Sequence, residues 1–145
     1  MNLPRVRLTA GTQPLDVYVA RNEEERSLGL MFRREMPSNE GMLFVCDVPA
    51  YQSFWMKDTP LPLSIAYIGD DGTLLQINHM EPQTLDSHRA DRPVRYILEV
   101  NQGWFQERGV APRKPPGWPV VPRRASRTEG ERAKVGARQG ETRLA

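Results

Sequence analysis

Leu63-Ser64-Ile65-Ala66-Tyr67-Ile68, Gly69-Asp70-Asp71-Gly72 and Thr73-Leu74-Leu75-Gln76-Ile77-Asn78-His79-Met80 read together as two strands joined by a hairpin loop. Both runs have strand length, and Gly69-Asp70-Asp71-Gly72 between them joins the two as a hairpin loop. Outward from this hairpin, Met42–Cys46, Ser53–Thr59 and Arg95–Val100 are further short apolar or alternating runs. Nearer the start, Arg5–Thr9 and Leu15–Ala20 alternate with period two, with Gly11 and Pro14 between them. Glu81–Pro93 is too polar and too rich in proline at its flanks for regular structure and reads as a long loop. Gly103–Arg108 is expected to add a helical turn.

One helix interrupts the strands, near residues 22–33. Asn22 can cap the free amides, Glu23, Glu24 and Glu25 suit the positive end of the dipole, and Glu25 stands at the capping-box position. Leu28, Met31 and Phe32 come next at helical spacing and predict one apolar face, before Pro37 forbids extension. The fold class is therefore mainly β (α+β): about seven short strands in a mainly antiparallel sheet, rolled or closed into a small barrel, with one short helix.

Charge divides the 145 residues in two. Residues 1–111 carry 11 Lys and Arg against 15 Asp and Glu, a net −4, whereas residues 112–145 carry 9 against 3, a net +6. Ten of the 11 aromatic residues precede Pro112, and the stretch after it has too little apolar surface to offset the entropy of ordering it. The expectation is a compact β-rich domain over 1–111 and a disordered basic Pro/Arg-rich tail over 112–145. One cysteine, Cys46, excludes an internal disulfide framework and a cysteine-built zinc site. No run approaches the ~18 apolar residues that span a bilayer. The start lacks the apolar core of a secretory signal, which favours the cytoplasm, and a monomer is the default.

Several motifs together identify a resemblance: Glu25-Arg26-Ser27-Leu28-Gly29-Leu30-Met31-Phe32-Arg33, then Gly41-Met42-Leu43-Phe44-Val45, then Phe54-Trp55-Met56-Lys57-Asp58-Thr59-Pro60-Leu61-Pro62-Leu63, with Asp71-Gly72 and Leu98-Glu99-Val100 downstream. In this order and spacing they resemble the bacterial and archaeal domain-of-unknown-function family 192, over about Leu15 to Val110. The resemblance implies a compact β-rich domain and supplies no accepted activity. It also implies that export occurs among relatives, many of which carry a leader. The family usually has an aspartate where this chain has Ser64, and an asparagine where it has Asp58.

The tryptophan segment is the sharpest candidate site. Strand alternation sets Ser53, Trp55, Lys57 and Thr59 on one face and Phe54, Met56 and Asp58 on the other. With Phe54 and Met56 turned to the core, the first face offers an indole, an ammonium and two hydroxyls. That set suits a ligand with a flat apolar surface and an anionic or hydroxylated edge, such as a sugar or a carboxylate. The competing reading buries Trp55 in the core, as large aromatics more often are, with Lys57 extended past it.

Glu99, within the apolar run Tyr96–Val100, must be paired, protonated or facing a cavity. A structural ion pair with Arg26, Arg33 or Lys57 is the commoner outcome, and a general acid or base of raised pKa is the functional one, with Lys57 or Ser64 assisting. His79 reads as a satisfied, partly buried imidazole on the face of Thr73, Leu75 and Ile77, and His88 as a loop residue. Cys46 reads as a buried structural thiol. Met31, Met42, Met56 and Met80 are soft ligand types for Cu(I), but methionine fills cores far more often. No metal or cofactor is expected. Three functions result, in order: a small-molecule or carbohydrate-type binding module on Trp55, Lys57 and Thr59; a hydrolase-like enzyme using Glu99, with Ser64 as a second catalytic candidate; and weak nucleic-acid or anionic-surface tethering through residues 112–145 alone.

Overall fold

A computed structural model describes residues 3–113 and the backbone of Val135–Ala137. The first strands, β1 (Arg5–Ala10) and β2 (Gln13–Ala20), pair antiparallel across the Gly11 turn. Helix α1 (Glu23–Leu28) and a looped stretch then carry the chain across to β3 (Glu40–Ala50), which lies parallel to β2. The short β4 (Ser53–Phe54) precedes the hairpin of β5 (Leu63–Ile68) and β6 (Leu74–Met80). A two-residue β7 (His88–Arg89) pairs with β4, and β8 (Val94–Asn101) leads into helix α2 (Trp104–Glu107). The last described segment, β9 (Val135–Ala137), lies antiparallel to β1.

The main sheet runs β6-β5-β8-β3-β2-β1-β9, antiparallel except for the β2–β3 pair. The mainly β expectation holds, but its barrel does not. Strands β6 and β9 form two separate edges that do not meet. The physical reason lies in the burial of the sheet's centre. Every residue of β5 is buried, so both of its faces need a cover, whereas a closed barrel buries only its interior. Two apolar clusters supply those covers. On one face Leu15, Val17, Leu43, Ala66, Leu98 and Val100 pack beneath Trp104, Phe105 and Val110 from α2 and the chain after it. On the other, Phe44, Leu63, Ile65, Tyr67 and Ile97 lie beneath Leu30, Met36, Met56, Leu61 and Ala90, which come from the loops between strands.

Two sequence expectations are corrected by the structure. The helix ends at Leu28 rather than continuing to about residue 33, because Gly29 takes φ 50° and turns the chain out of the helix. Its predicted apolar face is consequently not buried as a face: Leu28 is 50% and Phe32 69% exposed, while Leu30 turns inward. The capping box forms as expected, with Asn22 Oδ1 accepting from the Glu25 amide at 2.7 Å and Glu25 accepting back from the Asn22 amide. The tryptophan strand stops after Phe54 instead of reaching Thr59. From there a turn takes over, with Asp58 at φ 54° and the Thr59 amide donating to the Met56 carbonyl. The long loop at 81–93 contains β7 and is otherwise irregular.

Candidate functional site

The loop-covered face of the sheet encloses a cavity of about 430 Å³. Its floor comes from neighbouring strands: Phe44 of β3, Leu63 of β5 and Glu99 of β8. One wall is α1 and the turn after it, with Glu23, Arg26, Ser27 and Leu28 to Met31. The opposite wall is the segment Gln52 to Met56, with Thr59. That segment is pinned by backbone bonds at both ends of its turn. The Met56 amide donates to the Thr84 carbonyl, the Gln83 amide to the Thr59 carbonyl, and the Phe32 amide to the Asp58 carbonyl at 2.7 Å. Phe54 meets Phe44 edge-on, with centroids 5.1 Å apart, so this wall rests on the floor.

Trp55 is 50% exposed and is therefore not a core residue. Its neighbours Phe54 and Met56 turn inward, Met56 completely, as strand alternation requires even though the strand itself is short. Lys57 is exposed and sets its ammonium 5.4 Å from the Trp55 ring centroid, a cation–π distance. Lys57 does not line the cavity, whereas Trp55 and Thr59 do. Thr59 breaks the alternation by being buried, and its hydroxyl donates to the Lys57 carbonyl at 3.0 Å.

Glu99 lies between Met42 of β3 and Ile65 of β5, is 5% exposed, and lines the cavity. Among the described residues its carboxyl has no hydrogen bond and no salt bridge, so the expected ion pair with Arg26, Arg33 or Lys57 does not form. Burial alone pushes its pKa up to about 8, which leaves the group protonated at neutral pH. Arg26 instead spends its Nη1 on backbone, donating to the carbonyls of Arg21 and Val45. Its charge opposes the burial that pushes the Cys46 thiol up. Tyr67, on the same face as Glu99, donates to the His88 carbonyl at 2.6 Å, and burial followed by the charge of Glu99 raises its phenol.

Ser64 stands apart. It is fully buried on the face opposite Glu99, where its hydroxyl accepts from the Gly103 amide at 3.0 Å and bonds His79 Nδ1 at 2.8 Å. The structure thus brings together Trp55, Thr59 and Glu99 and leaves Ser64 tying β5 to β6 and to the start of α2. His79 is exposed rather than partly buried. Among the described residues, no three His, Cys, Asp or Glu side chains gather as metal ligands, and no helix is long and apolar enough to cross a membrane. Arg26 as a lining group, and Phe44 and Phe54 as an aromatic pair, are not legible as site residues in the sequence. The signals for Arg26 are its place in the Glu25–Arg33 motif and its candidacy as a partner for Glu99.

Residues 6–114 match the family model of DUF192, described as Uncharacterized ACR. A solved structure of a candidate transcription regulator from Sinorhizobium meliloti is similar at 37% identity and a TM-score of 0.70, covering 74% of this chain and 87% of that one. A protein of unknown function from Novosphingobium aromaticivorans is similar at 32% identity and a TM-score of 0.68, covering 74% of this chain and 79% of its own. No curated protein matches the chain.

Proposed function

Starting from a chain that belongs to the DUF192 family, we propose that it is a small-molecule binding module whose site is the cavity between α1 and the tryptophan segment. The observation that carries this reading is the joint placement of an exposed indole and a buried, unpartnered carboxyl on one cavity. Exposing half of an indole and burying a lone carboxyl each oppose folding, and a bound ring with a polar edge would offset both. The cavity volume is within the range of small-ligand sites. Trp55 and Thr59 would contact the ligand directly, and Lys57 would hold the outer face of the indole.

The test is Trp55→Ala, with ligand binding and thermal melting measured side by side. Because Trp55 is half exposed, its truncation should change stability by no more than about 1 kcal/mol while removing ligand binding and the ligand-induced fluorescence change. A collapsed melt would make the indole a structural residue and end this reading. A second reading, a hydrolase-like enzyme, is favoured by the protonation of Glu99, which suits a general acid at neutral pH. Turnover of p-nitrophenyl esters or glycosides that disappears in Glu99→Gln would support it. The regulator description of the Sinorhizobium protein bears on a third reading, nucleic-acid attachment through the nine basic residues of 112–145.

A further inference from the structure

Among the polar residues that line the cavity, Arg26 and Glu99 restrict what can enter. Arg26 fixes a positive charge on the helical wall, anchored by its bonds to two backbone carbonyls, and this opposes a cationic ligand. Glu99 shares the cavity lining with the apolar Phe44, Leu63 and Met56, where a ligand carboxylate set beside it would be desolvated without a hydrogen-bond donor other than the Glu99 proton. The carboxyl is nevertheless within reach of a ligand. Glu99 lines the cavity, and no hydrogen bond within the described residues occupies its carboxyl oxygens. A neutral carboxyl presents one donor and one acceptor side by side. Its complement is an edge with an adjacent acceptor and donor, and Phe44, Phe54 and Trp55 provide faces and edges for a flat ring.

We propose that the cavity takes a neutral ring compound bearing a carboxamide-type edge, which pairs with the Glu99 carboxyl while the ring lies against the aromatic walls. This rests on the binding-module reading above and specifies its ligand class. No covalent step is involved. The titratable and charged groups facing Glu99 are few: Tyr67 from β5, whose phenol donates to a carbonyl and stays neutral, Cys46 from β3 on the same face, and Arg26 and Glu23 from α1. The lining contributed by residues 52–59 is uncharged. Ionisation of Glu99 should therefore dominate any pH dependence, and it removes the donor that the ligand needs.

Calorimetric titration of the full chain with three matched probes tests the proposal: benzamide, benzylammonium and benzoate, each at pH 6, 7 and 9. Benzamide is expected to bind most tightly. Its affinity should fall about tenfold between pH 7 and pH 9, as the neutral form of a carboxyl of pKa about 8 is depleted. Glu99→Gln keeps the donor–acceptor edge without the titration, so it should bind benzamide within a few-fold of the wild type and show a flat profile. Tighter benzylammonium binding that strengthens with pH would overturn the proposal in favour of a carboxylate site for cations. A flat wild-type profile, or loss of benzamide in Glu99→Gln at every pH, would also overturn it. If none of the probes binds, or if benzamide binding survives Trp55→Ala, the binding-module reading itself falls, and with it this inference.

Discussion

Glu99 carries a second, ligand-independent consequence. Its pKa is about 8 in the folded protein and near 4.5 when exposed to water, because burial disfavours the charged form. The folded state therefore holds this proton over a pH range in which the unfolded state has released it. The contribution of the group to stability is fullest below about pH 4.5, declines as pH rises through the window, and levels off above about 8. Urea unfolding at pH 5, 6, 7 and 8 should show wild type losing stability relative to Glu99→Gln by up to about 1.4 kcal/mol per pH unit. The variant should be the more stable of the two at pH 8. A wild-type-minus-variant difference that does not change with pH would mean that the carboxyl is solvated or paired in solution. The residue is legible as unusual because it interrupts Tyr96–Val100, but its lack of a partner depends on where Arg26 and Lys57 end up. Their side chains are committed to backbone carbonyls and to the Trp55 ring, and such long-range choices leave no periodic trace.

At the scale of elements, the site depends on how closely β3 and β8 approach. A Cβ at Gly41 would stand 2.6 Å from the Glu99 carbonyl oxygen and 3.1 Å from Val100 Cγ1, so any larger residue must push the two strands apart. Gly41→Ala should therefore cost about 1–3 kcal/mol in denaturant unfolding and weaken benzamide binding at pH 7, since the displaced strand carries the floor of the cavity. An unchanged melt would show that the ladder has slack at this point. Most strands are legible because apolar runs such as Leu63–Ile68 lie in the centre of the sheet, where both faces are covered. The helix reads too long for a specific reason. Leu28, Met31 and Phe32 have helical spacing, but the positive φ at Gly29 ends the helix after Leu28 and leaves Met31 and Phe32 on the loop that follows. The strand at 53–59 reads too long in the same way, since its alternation is genuine through Met56 and is then broken by the turn at Asp58. Closure of the sheet is not legible at all, because pattern along a strand cannot tell whether the two edge strands meet.

For the whole molecule, the residues whose side chains are described run as far as Arg113, whose amide donates to the Leu74 carbonyl. Truncation after Arg113 should leave thermal melting within a few degrees, although it removes Val135–Ala137 from beside β1. The remainder of the expected tail lies outside the described residues. Any affinity for nucleic acid should be lost with the truncation, be indifferent to sequence, and fall steeply between about 50 and 200 mM salt in electrophoretic shifts. Binding that persists without the tail would assign it to a domain of net charge −4 over residues 1–111, against the electrostatic argument. The parallel β2–β3 pair has a consequence for engineering. A parallel neighbour cannot be reached by a tight turn, so residues 21–39 must travel the length of the sheet, and the same residues form one wall of the cavity. Opening the chain there to make new termini would sever both the crossover and the wall. The Gly69–Gly72 turn joins an antiparallel pair and contributes nothing to the cavity. A circular permutant cut there, or a fluorescent reporter inserted there, would keep the pocket intact and turn the protein into a sensor for whatever fills it.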